Sequence, residues 1–127
     1  MQAYLLVFLG AGLGGTLRHT VNLLAARLLG TNFPWGTFVI NISGSLVMGL
    51  LAGFLAFRTG ANWTHHARLF LLTGVLGGYT TFSAYSLDSA LLFERGELLM
   101  AAAYVGGTVA LALAGVFSGL FIARALS

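Results

Sequence analysis

Residues 73–89 read Thr-Gly-Val-Leu-Gly-Gly-Tyr-Thr-Thr-Phe-Ser-Ala-Tyr-Ser-Leu-Asp-Ser, and they differ from the long apolar runs in the rest of the chain. Glycines, hydroxyl side chains and an aspartate interrupt what would otherwise be a continuous hydrophobic segment. Gly77 and Gly78 lack the side chains that favour a helix, whereas Thr80 and Thr81 are good N-caps for a new helix that begins at Phe82. The stretch therefore predicts a helix that is broken in mid-membrane.

The composition places the whole chain in a lipid bilayer. Of the 127 residues, 58% are hydrophobic and 7% are charged, and the mean hydropathy is +0.94. A soluble domain carries about 25% charged residues, so this chain cannot build a water-facing surface. Cysteine is absent, which excludes disulfides and thiolate metal sites. The arginines behind the pI near 10.0 are scattered singly at helix ends and do not indicate nucleic-acid binding.

The length predicts a single domain, residues 1–127, with four membrane-spanning helices. At roughly 20 apolar residues per span, we place the spans at about 4–29, 36–57, 68–93 and 98–123. Turns are expected at 30–34 and 94–97, and the polar residues 58–66 are expected to form an interfacial loop. Glycine pairs four residues apart predict close helix packing, and they lie at 10/14, 49/53 and 115/119.

The arginines give almost no signal for one orientation in the membrane. With four spans, Arg58, Arg68 and Arg124 flank one side of the bilayer, whereas Arg27 and Arg95 flank the other. Positive residues normally concentrate on the cytoplasmic side. Because the arginines are distributed almost evenly, the chain could insert in both orientations, and two such chains could pair as an antiparallel dimer.

Two polar side chains inside the first two spans each have two interpretations. Asn41 shares a helix face with Thr37 and Ser45. It either joins helices through a hydrogen bond or presents N–H donors to a pore. Arg18 either extends to the membrane surface or holds positive potential at a pore mouth.

The third span also leaves alternatives open. Backbone carbonyls around residues 77–80 could hold a small hard cation such as sodium, or the glycines could merely permit a close helix crossing. Phe82 and Tyr85 lie on one helix face and form either a packed aromatic stripe or a path of positively polarised ring edges for an anion. Asp88 is expected to pair with an arginine or a hydroxyl group. The histidines lack metal-ligand spacing.

Three motifs resemble the Fluc fluoride channels of the CrcB family. They are Gly-Gly-Thr-Leu-Arg at 14–18, Trp-Gly-Thr-Phe-Val-Ile-Asn at 35–41 and the stretch at 73–86. The resemblance covers the chain in length and in the order of its spans. It implies a dual-topology, antiparallel homodimer of four-helix subunits with two fluoride pores and a structural sodium ion at the dimer centre. It also implies a multi-pass protein of the bacterial inner membrane that exports fluoride passively.

Matching the motifs position by position implies the site residues. The sodium ion would be held by the backbone carbonyls of Gly77 and Thr80. The fluoride pore would include Asn41, Phe82, Tyr85, Ser83, Ser86, Thr37, Tyr104, Thr108 and Arg18. Tyr85 stands where the family usually has phenylalanine, and its hydroxyl could donate to fluoride or to a neighbour. Ala112 stands where the pattern often has serine, which shortens the hydroxyl track.

Other functions fit the sequence less well. No phosphate-binding loop, catalytic dyad or metal cluster is visible, so an enzyme is not expected. A proton-coupled multidrug exporter of the small four-helix kind usually carries a carboxylate in its first span, and here that span has none. A membrane scaffold would not need a polar stripe opposite an aromatic pair.

Overall fold

The computed structural model describes residues 1–58 and 60–126, and within them the ordered elements are helices. Helix α1 (Gln2–Leu29) and helix α2 (Trp35–Ala56) come first. A first half-helix then combines α3 (Thr64–Ala67), a π-helix (Arg68–Leu76) and α4 (Gly77–Tyr79). The second half-helix is α5 (Phe82–Glu94), and α6 (Leu98–Ala125) ends the fold. The predicted helical architecture is confirmed.

Two of the described helices, α2 and α6, are long and apolar enough by themselves to cross a bilayer. Each has a mean hydropathy of 2.0 over its most apolar window. Helix α1 is as long as α6, at 28 residues, but it becomes polar towards its end, where Arg18, His19 and Arg27 lie. The third segment is divided into halves, and neither half reaches the length of a span.

Glycines bring pairs of helices into backbone contact, as their spacing predicts. A Cβ atom added to Gly10 would lie 2.9 Å from the Cα of Gly74, so α1 and the first half-helix touch through main chain. A Cβ on Gly49 would lie 3.1 Å from the Cα of Gly119, where α2 crosses α6. Such close approach increases van der Waals contact between helices that lipid does not drive together.

The third segment is broken, but not at the glycines. Gly77 and Gly78 are helical, and the unwound residues are Thr80 (ψ 158°) and Thr81 (φ −153°, ψ 119°). Gly78 is required for packing instead, because a Cβ there would lie 2.5 Å from the carbonyl oxygen and 2.8 Å from the Cα of Ala11. The predicted break is confirmed, and the interpretation that the glycine pair unwinds the chain is wrong.

Two of the three predicted connections between helices lie where they were expected. Gly30 and Gly96 both have positive φ, at 83° and 79°, in the turns expected after α1 and α5. The loop predicted at 58–66 ends earlier, because Thr64 already begins a helix. The Thr64 hydroxyl donates to the carbonyl of Arg58, and the Ala67 N–H donates to the Trp63 carbonyl at 2.9 Å, which closes the first turn.

Candidate functional site

A groove of about 430 Å³ opens between α2, the helix break, α5 and α6. It brings together residues that the sequence analysis selected from three separate spans, and hydroxyl and amide groups lie there opposite aromatic rings. Its wall is formed by Asn41, Gly44, Ser45, Met48, Thr80, Thr81, Phe82, Tyr85, Thr108, Val109, Ala112, Leu113 and Val116.

Asn41 bonds the unwound backbone through both ends of its amide. Its Nδ2 donates to the carbonyl of Thr81 at 3.0 Å, and its Oδ1 accepts the Thr81 N–H at 2.9 Å. The interhelical hydrogen bond considered from the sequence is thus present, and its partner is main chain. An asparagine amide has two N–H donors, and this pair uses one of them.

The break removes donors from two particular carbonyls. In a continuous helix each N–H bonds the carbonyl four residues earlier, so Thr81 would bond Gly77 and Ala84 would bond Thr80. Instead the Thr81 N–H donates to Asn41, and the Ala84 N–H donates to the Thr81 hydroxyl at 3.2 Å. Thr81 is therefore the N-cap of α5, as predicted.

The freed carbonyls fit a hard cation. Oxygen ligands suit such ions, and carbonyls at the end of one half of a broken membrane helix are known to coordinate sodium. Within residues 1–58 and 60–126, no group of three His, Cys, Asp or Glu side chains is placed to hold a metal. Gly77 and Thr80 thus have the right chemistry for the sodium ion that the resemblance implies.

The Tyr85 hydroxyl is hydrogen-bonded within the protein. Its side chain is 8% exposed, and the hydroxyl donates to the carbonyl of Val105 on α6 at 2.9 Å. The sequence left open whether this hydroxyl donates to fluoride or to a neighbouring group, and in the structure it donates to a neighbouring group. The Phe82 ring lies next to it, with centroids 5.5 Å apart, but is 76% exposed in the single chain.

Thr108 places an unused hydroxyl beside the groove. The residue is only 4% exposed, and its Oγ1 is buried without a hydrogen-bond partner in the described part of the chain. A buried polar group without a partner is costly and is expected to bond something absent from the protein alone. Ala112, one turn further along α6, gives the groove an apolar wall instead.

A second cavity of about 270 Å³ lies towards the turns at 30–34 and 94–97. Thr37 and Asp88 line it together with Asn22, Trp35 and Arg95. Asp88 accepts a hydrogen bond from the hydroxyl of Tyr104 at 3.2 Å, so the expected pairing with a hydroxyl is confirmed. The Tyr104 side chain is fully buried and packs its ring 5.3 Å from that of Tyr85.

Four residues that the resemblance assigned to the pore line neither cavity: Ser83, Ser86, Arg18 and the fully buried Tyr104. The Ser86 hydroxyl donates to the Phe82 carbonyl at 3.0 Å, and the Ser83 hydroxyl lies 3.3 Å from that of Thr81. Arg18 is half-buried on α1. Their pore roles stay predictions.

Ser45 and Thr81 also line the groove, although neither was predicted as a site residue. Ser45 was recognisable, since it lies one turn after Asn41 on the same face. Ser43 was missed as well: its hydroxyl lies 3.0 Å from that of Tyr79 and joins α2 to the first half-helix. That contact has no local sequence signal.

Known proteins resemble the chain over nearly its whole length. The family model described as CrcB-like protein, Camphor Resistance (CrcB), matches residues 5–120. A protein of Rhodopseudomonas palustris named fluoride-specific ion channel FluC is 62% identical over 99% of this chain and 100% of its own length. A protein of Nitrobacter hamburgensis named fluoride-specific ion channel FluC 2 is also 62% identical, over 98% of each chain. One from Beijerinckia indica, named like the first, is 55% identical over the full length of both. The chain therefore belongs to the CrcB-like family.

Proposed function

We propose that this chain is the subunit of a fluoride-selective channel that lets cytoplasmic fluoride leave the cell passively. The identity of the ion is taken from the names of its full-length relatives. The observation in the structure that supports it best is the unpartnered, buried hydroxyl of Thr108 beside a groove that also holds Asn41 and two aromatic rings.

The groove offers what a dehydrated fluoride ion needs. Fluoride is small and strongly hydrated, so a pore must replace its water with hydrogen-bond donors. The Thr108 hydroxyl and the remaining N–H of Asn41 are donors, and the edges of the Phe82 and Tyr85 rings carry partial positive charge. From the groove, Tyr104 and Thr37 lead towards the second cavity, and we propose that fluoride follows this track.

The assembly we propose is an antiparallel homodimer in the bacterial inner membrane, with four spans in each subunit. The even distribution of arginines on the two sides supports insertion in both orientations. The exposure of Phe82 supports a partner at the groove, since a pore-lining ring needs a second wall. Gly77 and Thr80 from both subunits would supply four carbonyl oxygens to a structural sodium ion at the centre, and that ion would not be transported.

The channel needs no catalytic or proton-coupling group, and we do not propose an enzyme. A proton-coupled exporter would need a titratable carboxylate exposed to its substrate. The first span contains none, and the carboxylate of Asp88, although it lines the second cavity, accepts a hydrogen bond from the Tyr104 hydroxyl.

Purified protein in liposomes tests the proposal. Liposomes loaded with potassium fluoride, in buffers that contain sodium, should release fluoride to an external electrode once valinomycin dissipates the membrane potential. The same liposomes loaded with potassium chloride should release no chloride above the protein-free background. Absence of fluoride release, or equal release of chloride, would reject a fluoride-selective channel.

The orientation in the membrane has a separate test. Reporter domains fused to the C-terminus, one active only in the cytoplasm and one only in the periplasm, should both be active in cells. Activity of a single reporter would reject dual topology and leave the fluoride test unaffected.

A further inference from the structure

We infer that Asn41 and Thr81 are positioning residues for the cation at the helix break, because they keep backbone N–H groups away from the carbonyls of Gly77 and Thr80. The inference rests on the proposed function, since the ion concerned is the sodium ion proposed there. It adds a role for two side chains that do not themselves touch the ion.

Each side chain captures one N–H group. Asn41 Oδ1 takes the Thr81 N–H, which a continuous helix would give to Gly77. The orientation of this amide is fixed, since its Nδ2 must face the Thr81 carbonyl while its Oδ1 faces the Thr81 N–H. Thr81 Oγ1 takes the Ala84 N–H, which a continuous helix would give to Thr80.

The capture matters because backbone groups inside a membrane must find partners. If either acceptor were removed, the N–H group would be left unpaired, and rewinding of the helix would pair it with the carbonyl four residues earlier. A carbonyl that accepts an N–H along the helix is directed away from a cation and is a weaker ligand for it. Loss of either acceptor should therefore weaken sodium binding specifically.

Asn41 also lines the groove, whereas Gly77 does not. A single side chain thus shapes the proposed pore on one side and releases a cation ligand on the other. Sodium occupancy and the geometry of the groove are consequently coupled through the amide of Asn41.

The first test uses Thr81→Val and Thr81→Ser. The thermal unfolding temperature of the purified protein in detergent is measured while sodium chloride replaces N-methylglucamine chloride at constant ionic strength. Valine keeps the shape but removes the cap, so the sodium concentration for half-maximal stabilisation should rise at least about fivefold, as expected from a neutral hydrogen bond regained in each subunit. Serine keeps the capping hydroxyl and should leave that concentration within about twofold of wild type.

The second test uses Asn41→Ala and Asn41→Asp in the same titration. Both variants lose the Nδ2 donor, but aspartate keeps an acceptor for the Thr81 N–H. The alanine variant should need at least about fivefold more sodium, and the aspartate variant should need no more than wild type. This pair decides the question if Thr81→Val does not fold.

A residue that only supports the fold would lower the unfolding temperature equally at every sodium concentration. If Thr81→Val needs the same sodium concentration as wild type for half-maximal stabilisation, the inference is wrong and the sodium site stands. Where Thr81→Val does not fold, the same result for Asn41→Ala leads to the same conclusion. If wild-type protein shows no stabilisation by sodium, the sodium site and the inference fall together. Fluoride release from liposomes is measured independently of both.

Discussion

The two halves of the broken helix differ in how the first contacts α1 and the second contacts α6. The first half lies against α1 through main chain, with Gly74 on one side and Gly10 and Gly14 on the other. The second half, α5, is joined to α6 by side chains, through the Tyr85 hydroxyl on Val105 and the Tyr104 hydroxyl on Asp88.

The difference separates folding from function along one segment. Backbone contact between glycines leaves no volume for a larger side chain, so the first half has little freedom to change. Side-chain contact leaves the rest of α5 available, and Phe82 and Leu87 remain 76% and 59% exposed in the single chain. Substitutions in the first half should therefore destabilise the protein, whereas those in and around the second half should change conduction.

The largest effect is expected for Gly78→Val in the first half. A side chain there would collide with the backbone of Ala11 on α1, which cannot move without displacing the helix. We expect a loss of about 3 kcal/mol or more in the free energy of unfolding, measured by chemical denaturation in detergent. Gly12→Val is the matched control, because a Cβ at Gly12 meets nothing within 4 Å. Equal stability of the two variants would contradict the packing role of Gly78.

Asn41→Asp is the next largest change, and it acts on the side of the break that faces the groove. It places a negative charge where an anion must pass and removes the donor to the Thr81 carbonyl. Repulsion between like charges in a poorly solvated path should lower fluoride release at least about 100-fold. Liposome flux is the measurement, and unchanged flux would take Asn41 out of the ion path.

Phe82→Ile tests whether the second half acts through its ring. Isoleucine keeps the bulk but lacks the polarised ring edge, so fluoride release should fall at least about tenfold while the unfolding temperature stays near that of wild type. Phe93→Ile on the same helix is the control, since Phe93 is 66% exposed and does not line the groove. Full flux through the Phe82 variant would reject the ring-edge mechanism at this position.

Much of the fold follows from local sequence properties. Apolar runs, glycine spacing and the threonine N-cap gave the helices, their close contacts and the start of α5. The position of the break was wrong by about two residues, because packing against Ala11 keeps Gly78 helical despite its low propensity. The π-helix at Arg68–Leu76 was not foreseen, since no residue in that apolar run marks a change in helix type.

The site was only partly accessible from sequence. Asn41, Phe82, Tyr85, Thr108 and Thr80 do meet at one groove. The sequence pattern itself indicated four of them, and the family resemblance added Thr108 and the roles in the ion path. The contact between Asn41 and Thr81 joins residues 40 positions apart, so no local pattern contains it. The choice of partner by the Tyr85 hydroxyl depends in the same way on where α6 lies.

The smallest effect is expected for Tyr85→Phe, which removes one hydroxyl from the contact between α5 and α6. Because that hydroxyl donates to Val105, its loss should cost about 1 kcal/mol of unfolding free energy, while the ring edge remains in place. Fluoride release should stay within about threefold of wild type. Tyr4→Phe is the control for the substitution itself, since Tyr4 is 81% exposed on α1. A large fall in flux at unchanged stability would instead mean that the hydroxyl serves the anion. The hydrogen bond from Tyr85 to Val105 would then contribute little to holding α5 against α6.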